Sequence, residues 1–563
     1  MRYAIYGVNR VAKDFMYIFE SINIVCFFED ESVEKSWIDI PVYRTSNIQD
    51  MNKLYDQIII CDFEKKTKKE RLEHIGLKYG KDFVYEEDFF SSLDNYILNP
   101  SQKKIVVWGA GRRAEKMNAF FGINEIEFFV DSKVQGDYWK NSGKRILQPQ
   151  QVGNWKDYFI VVTTAKSDSI ISFLCEHGMK EYEDYCSLYE LLTQPSWMLR
   201  KTIFDRSCYN VECQTIFNHI ELNQSGELMC CCVPFVIGRI GSIENGSIKS
   251  SWMGIVHKIM CLAINNRTYS FCNSNMCPVF IGREKNTEFS LERQYLEMEK
   301  YPRNLLVNFE DSCNLKCESC RNEVKIAEGK EHEKNMRYAD ILINEVLPYV
   351  DFITMAGTGE VFVGKAYKKM FTSNAMDNIK WIRLLTNGTL FNEQNWKKFS
   401  SNKNGKIILT VSVDAATKET YEKLRRNGKF DILKRNMEFA SSLRKEGRLS
   451  YFRMNFVVQR KNYLEMPLFV EWGKELGVDE VFFTKILNYG TYSQDEFSEI
   501  SMMEPDEMTP KKELIEILNL PIMKDKIVDL GTIRYSHEPI GVDYIENYYK
   551  WELERKVSNL FLL

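Results

Sequence analysis

The chain is expected to be α/β: a partial parallel barrel of six strand–helix units, preceded by a small cysteine-rich domain and two tandem α/β modules. Three observations predict this. A strand–glycine-turn–helix pattern occurs twice in the first two hundred residues, at an offset of 101 to 102 residues. Eleven of the 15 cysteines fall between Cys208 and Cys320. From about residue 300 to 490, apolar strands recur with helical stretches between them, the pattern of parallel βα units. The boundaries read as 1–100 and 101–196 for the two modules, 197–298 for the cysteine-rich part, 299–490 for the barrel and 491–563 for a C-terminal extension.

Length and composition bound the function. At roughly 150 residues per domain, 563 residues are too many for one ordinary core. Lys+Arg total 75 and Asp+Glu 79, a net charge of −4, which argues against electrostatically driven nucleic-acid binding. Hydrophobic residues at 44% and charged residues at 27% describe a globular chain. No apolar run approaches the ~18 residues that a bilayer requires, so no membrane association is expected. The start, MRYAIYGVN, reads as a strand entering a turn and lacks the marks of a signal peptide. A cytoplasmic, reducing setting follows, in which a dense cysteine cluster holds metal or iron–sulfur rather than disulfides.

The duplication rests on four landmarks: YAIYGV at 3–8 with IVVWGA at 105–110, FFED at 27–30 with FFVD at 128–131, IIIC at 58–61 with FIVV at 159–162, and Gly76 with Gly178. A strand, a glycine turn, a helix and a strand ending in acid begin a doubly wound domain. In the second module Gly109-x-Gly111-x-x-Ala114 follows a strand, and Asp131 lies 20 residues beyond Gly111. Gly109, Gly111 and Asp131 are therefore candidate nucleotide-binding residues: glycines admit a phosphate to a helix N-terminus and the acid meets a ribose hydroxyl. Asn9 stands where the first module needs its second glycine, so that module reads as scaffold. The WGAG…FFVDSK…ILQP text resembles the small Rossmann-like modules of sugar-modifying and polysaccharide-locus proteins. Partner docking is the plainer reading of the same module.

The barrel stretch opens with a strand, RNLLVNFE at 303–310, followed by Cys313-x3-Cys317-x2-Cys320. Three thiolates on one tight loop can hold three irons of a four-iron cluster and leave the fourth open, whereas a structural zinc wants four protein ligands. Further landmarks follow in order: FITMAGTGE at 352–360, IRLLTNGTLF at 382–391, ILTVSVDAATKETYEKLR at 408–425, MNFVVQRKN at 454–462 and VDEVFFTKI at 478–486. Together they resemble the radical S-adenosylmethionine (radical SAM) superfamily, in its peptide-modifying branch. The resemblance implies a [4Fe-4S] cluster on Cys313, Cys317 and Cys320, and S-adenosylmethionine held by Gly357, Gly359, Glu360, Ser412 and Arg425, with Asp414 near a strand end. It further implies reductive cleavage to a 5′-deoxyadenosyl radical, hydrogen abstraction from a substrate, and a reducing donor such as flavodoxin or ferredoxin. Ser319 departs from the aromatic that many members carry beside the last cysteine. The rival reading of the triad is a zinc or scaffold cysteine knot.

The stretch 208–277 holds eight cysteines. Cys213-x12-Gly226-x4-Cys231, the glycine-rich text at 237–254, and Cys272-x4-Cys277 resemble the auxiliary-cluster extension called SPASM or twitch, here placed ahead of the barrel. By that resemblance Cys213, Cys231, Cys272 and Cys277 hold an auxiliary [4Fe-4S] cluster. Cys230 and Cys232 are alternatives, Cys208 can replace Cys213, and a four-cysteine zinc site is the rival. Cys261 sits in a helical stretch and reads as core. Cys26, Cys61, Cys175 and Cys186 read as small hydrophobes, and the six histidines show no metal spacing. The acidic, methionine-rich stretch after 490 reads as a loop or lid.

These readings predict an oxidoreductase of the radical type that oxidises, epimerises or cross-links its substrate. That substrate is a peptide, by the barrel and SPASM text, or a nucleotide-linked sugar, by the modules. The rivals are a non-catalytic scaffold on a decayed enzyme and an iron–sulfur or zinc module without SAM chemistry.

Overall fold

The computed structural model describes residues 1–30, 36–111, 114, 123–132, 138–139, 142–164, 168–205, 208–209, 213–233, 235–236, 238–273, 277, 285–286, 296–355, 357–400, 405–488, 491–505 and 509–533. The fold is mixed α/β with parallel sheets. Strands β1 (Tyr3–Tyr6), β2 (Ile24–Glu29), β3 (Ser36–Trp37), β4 (Ile40–Arg44), β5 (Gln57–Ile60) and β6 (Phe83–Tyr85) form a sheet of order β3-β4-β2-β1-β5-β6. It is parallel except for the β3–β4 hairpin. Strands β7 (Lys104–Trp108), β8 (Ile126–Val130), β9 (Ile146–Leu147), β10 (Tyr158–Val162) and β11 (Tyr185–Ser187) form a parallel sheet of order β11-β10-β7-β8-β9. Without β3 the two orders are the same.

The likeness extends to single hydrogen bonds. Gly7 (φ +134°) donates to Phe28 O, and Gly109 (φ +115°) donates to Val130 O. The next amide is capped by a carboxylate in both: Val8 N donates to Glu29 (2.8 Å) and Ala110 N to Asp131 (2.8 Å). Ile58 pairs with Phe83 as Ile160 pairs with Tyr185, and the two sheets shift register at matching positions of the central strand, after Tyr3 and after Ile105. Each equivalence is an offset of 102 residues. The acid matching Asp131 is thus Glu29 and not Asp30, one residue from where the FFED–FFVD alignment puts it. What the turn requires is a carboxylate facing the amide after the glycine, and side-chain direction alternates along a strand.

The third sheet has ten strands. In chain order the remaining strands are β12 (Cys208–Tyr209), β13 (His219–Asn223), β14 (Glu227–Met229), β15 (Gly241–Ser242), β16 (Lys285–Asn286), β17 (Asn304–Asn308), β18 (Phe352–Met355), β19 (Trp381–Thr386), β20 (Lys406–Ser412), β21 (Tyr451–Val458), β22 (Glu480–Lys485) and β23 (Val528–Asp529). Among the described residues β12 and β16 pair with each other; the rest run β15-β14-β13-β17-β18-β19-β20-β21-β22-β23. β17 to β22 are parallel and sequential, with helices such as Gly329–Glu345, Phe430–Lys445 and Met466–Leu476 in the connections. Among the described residues the edges β15 and β23 do not meet, so no closed barrel forms. β13, from the cysteine-rich stretch, lies parallel beside β17 and extends the sheet.

The two faces of this sheet differ in chemistry. Ile220, Leu222, Leu305, Val307, Ile353, Met355, Ile382, Leu384, Leu409, Val411, Phe452, Met454, Val481 and Phe483 share one face and are buried at 1% exposure or less. Each contributes roughly 1.5–3 kcal/mol by leaving water. The opposite face carries Glu221, Asn308, Thr354, Arg383, Thr410, Ser412, Arg453, Asn455 and Glu480 by the same registers. A parallel sheet covered on both sides normally has apolar strands throughout. Polar residues are mixed on that face with buried Phe352, Ile408 and Phe482, so it is more polar than the other without being free of packing.

Two expectations are corrected. Cys175 is exposed, on the outer side of helix Asp168–Glu176, and is not a core hydrophobe. Residues 494–500 form a helix rather than a loop, because Ser493 and Glu496 make a reciprocal capping box. Residues 534–563 of the extension lie outside the described residues.

A buried carboxyl in the first sheet's margin gives a pH prediction. Burial pushes Glu86 up to about 7, against the pull of Lys65 Nζ at 2.9 Å. Its folded value lies above its unfolded one, so the folded state keeps a proton the unfolded state has lost. That stabilisation is present below about pH 4.5 and is lost as pH rises through 7. Between pH 5 and 8 the wild type is expected to lose up to about 3 kcal/mol through this group, and Glu86→Gln much less. Denaturant unfolding at the two pH values measures the difference; equal losses in both proteins would refute the assignment.

Candidate functional site

The Cys313–Cys320 loop begins where β17 ends, and Glu310 fixes its entry. That carboxylate is 1% exposed; it accepts from Ser312 Oγ at 2.8 Å and Ala366 N at 2.9 Å. Cys313 N donates to Lys325 O at 2.7 Å, which closes the loop. Each sulfur then meets nitrogen donors. Cys313 Sγ accepts from Leu315 N (3.4 Å) and Asn387 Nδ2 (3.8 Å). Cys317 Sγ accepts from Arg425 Nη1 at 3.6 Å, and Cys320 lies beside the Arg321 guanidinium, whose charge it supports. Burial pushes the Cys313 thiol up to about 11. Loading a cation here therefore releases protons.

The strand ends beside the loop close around it. A Cβ on Gly357 would lie 2.6 Å from Asn308 Oδ1; one on Gly359 would strike the Glu310 carbonyl and lie 2.9 Å from Ser312 O. Glu360 N donates to Ser312 O at 2.8 Å. The Glu360 carboxylate is buried and fully engaged, accepting from Thr386 Oγ1 (2.7 Å), Asn387 N (2.7 Å) and Phe362 N (3.3 Å). It ties the β18 end to the β19 end, and burial pushes it up to about 7. Gly359→Ala is expected to push the two loops apart and to destabilise the fold by the roughly 1–3 kcal/mol typical of overpacking. Denaturant unfolding measures the loss; wild-type stability would refute the close approach.

Arg425 follows helix Lys418–Leu424 and returns to the site. Its Nη2 pairs with Asp414 Oδ2 at 2.7 Å, while Nε is buried with no partner among the described residues. Burial opposes its charge, but Asp414 and then Cys317 hold the guanidinium ionised. Asp414 has φ +66°, a left-handed conformation, and is fixed by Val457 N and Asn462 Nδ2 at 2.8 and 2.9 Å. Tyr421 Oη, also buried, has no partner. Ser412 ends β20 on the polar face, opposite Asn455. Cys313, Cys317, Cys320, Gly357, Gly359, Glu360 and Arg425 thus converge at the ends of β17 to β20. Two arginines and two orphaned donors at three sulfurs fit an anionic cluster with a further ligand.

The second cysteine group also gathers. Cys231 feels the charge of Cys232 first and then of Cys277 and Cys213, and Cys272 feels that of Cys277, Cys213 and Cys230. The Cys230–Cys232 run divides: Cys230 is buried 3.8 Å from Met260 Sδ, Cys231 faces Cys213 and Cys277, and Cys232 approaches His219 and Glu221. The Cys208 side chain lies outside the described residues. In the second module Gly109 packs against Thr163, a Cβ on Gly111 would meet nothing within 4 Å, and Asp131 caps Ala110 N. His219 is the residue that sequence spacing missed. Its signal was the strand alternation His219-x-Glu221 ahead of a glycine hairpin and a cysteine.

No helix among the described residues is long and apolar enough to cross a membrane. No protein-family model and no curated protein matches the chain. Several solved structures do. SuiB of Streptococcus suis bound to S-adenosylmethionine matches at 15% identity and TM-score 0.28, over 42% of this chain and 54% of that one. SuiB bound to its precursor peptide SuiA matches at 16% and 0.25, over 33% and 40%. Native anSMEcpe with bound AdoMet matches at 22% and 0.29, over 38% and 59%. The matched regions span less than two thirds of each of those chains.

Proposed function

We propose that the chain is a radical SAM enzyme whose cluster is held by Cys313, Cys317 and Cys320. The observation that carries this is three sulfurs on one loop, each met by a nitrogen donor, with the donors and the glycine cradle supplied by the ends of neighbouring parallel strands. When bound, such a cluster supplies one electron to the sulfonium of S-adenosylmethionine, whose carbon–sulfur bond breaks to give methionine and a 5′-deoxyadenosyl radical. The protein's own part is positional. Gly357 and Gly359 leave room for a ligand beside the loop, Glu360 braces that loop against β19, and Arg425 and Arg321 offset the sulfur charge. Ser412 presents a hydroxyl on the polar face where a nucleoside can be met.

Around this centre we read two Rossmann-like modules, a SPASM-like region carrying an auxiliary cluster on Cys213, Cys231, Cys272 and Cys277, and the barrel-type strands, in a cytoplasmic protein reduced by a flavodoxin or ferredoxin. A peptide substrate is favoured over a nucleotide-linked sugar. Asp131, the residue that would meet a ribose, caps its own turn just as Glu29 does in a module with Asn9 in place of the second glycine. Anaerobic reconstitution with iron and sulfide, reduction, and assay of 5′-deoxyadenosine tests the enzyme claim: no product refutes it. A thermal shift with nucleotide sugars would overturn the preference for a peptide, because only a ligand of the native state stabilises it.

A further inference from the structure

His219 and Glu221 lie two residues apart on β13, so both side chains leave the same face of the sheet. The chain turns at Gly226 (φ +75°), returns as β14, and reaches Cys232 three residues later. The ligating atoms of His219, Glu221 and Cys232 all lie within 4.8 Å of one another. His219 is 6% exposed, and among the described residues neither of its ring nitrogens has a partner. Its register neighbour on β17, Asn304, is 0% exposed and also has both amide atoms unpartnered. Buried groups left unbonded cost roughly 1–3 kcal/mol each, so two adjacent orphans mark a position built for a ligand. Burial holds the imidazole neutral, the form that donates a lone pair. Glu221 accepts from Asn308 Nδ2 at 3.0 Å and from Val233 N at 3.3 Å, which leaves carboxylate lone pairs free.

We propose that His219, Glu221 and Cys232 form a site for a divalent first-row metal ion of the zinc class. Nitrogen, oxygen and sulfur donors select such an ion over calcium or magnesium, which prefer all-oxygen shells. One carboxylate and one thiolate offset the two positive charges, so the loaded site is neutral and tolerates burial. Bonds of about 2.0–2.3 Å place tetrahedral ligands roughly 3.5 Å apart, a contraction of about 1 Å from the present spread. Asn308 orients the carboxylate as an outer-shell partner, and its Oδ1 accepts from Thr358 N at 2.8 Å. The site is thereby tied to the Gly357–Gly359 loop. Three protein ligands leave a position open, and His219 and Glu221 share the polar face with Ser412 and Arg453. The ion can accept water or an oxygen donor from a molecule bound on that face.

Zinc(II) titration of the full chain, with both cysteine groups first filled by anaerobic iron–sulfur reconstitution and unbound metal removed, tests this independently of any 5′-deoxyadenosine assay. X-ray absorption is expected to find one equivalent of zinc with a single sulfur at about 2.3 Å and nitrogen or oxygen neighbours at about 2.0–2.1 Å. His219→Gln is expected to weaken that equivalent by more than the roughly 10–100-fold that losing an outer-shell partner costs, and Asn308→Ser by an amount within that range. Glu221→Gln, nearly isosteric, supplies the same comparison should His219→Gln fail to fold. Zinc found with sulfur ligands alone, or an affinity unchanged in a folded His219→Gln or Glu221→Gln protein, overturns the proposal.

Discussion

Cys317→Ala protein, reconstituted anaerobically with iron and sulfide, is expected to form no 5′-deoxyadenosine and to lack the visible absorption of a cluster at this loop. The loss should be complete and not graded. The loop supplies three sulfurs, and removing one leaves two, too few to hold a cluster with one open corner. The neighbouring groups cannot substitute, because Arg425, Arg321 and Asn387 present nitrogen donors to the sulfurs. Cys313→Ala and Cys320→Ala are expected to behave the same way. Cys175→Ala, at an exposed helix position, is expected to leave product formation unchanged. Far-UV circular dichroism separates loss of the cluster from loss of the fold. A Cys317→Ala protein that still yields product in proportion to its iron would end the assignment of this loop.

How far the chain could be read in advance differs by element. The six parallel strands β17 to β22 were legible because each carries an apolar alternate set, such as Phe452, Met454, Phe456 and Val458, that only burial explains. The cysteine loop was legible because spacing along one loop fixes spacing in space. β13 was not. His219–Asn223 has only Ile220 and Leu222 as apolar residues, and its place beside β17 is set by long-range pairing that no local pattern encodes. The one-residue slip between Asp30 and Glu29 has a similar origin: sequence matching aligns letters, while the fold aligns the side chain that reaches the turn amide. The role of each cysteine in the 230–232 run could not be settled along the chain either. The three side chains meet different elements, Met260 for the first, Cys213 and Cys277 for the second, His219 and Glu221 for the third, while Cys231 and Cys232 stay close enough to feel each other.

The second large effect is expected at Arg425. Arg425→Met removes the cation that faces Asp414, and both side chains are almost entirely buried, at 12% and 7% exposure. Asp414 then keeps a carboxylate in a dry site with the Val457 amide as its remaining donor. Breaking one side of a buried pair in this way typically costs about 3–5 kcal/mol. At roughly 2–4 °C per kcal/mol for a region of this size, the thermal midpoint should fall by several degrees or more. Coupling gives the sharper test. Asp414→Asn alone leaves an uncompensated guanidinium, but the double variant Arg425→Met, Asp414→Asn removes both charges and should recover much of the loss, as contacting residues fail to add. Arg425→Lys keeps the charge yet gives up the planar fork that reaches Asp414 and Cys317 together, so it should retain stability better than Arg425→Met while weakening cluster retention. If the two single substitutions simply add in the double variant, the pair is not coupled, and Arg425 is held at the sulfur loop by something other than Asp414.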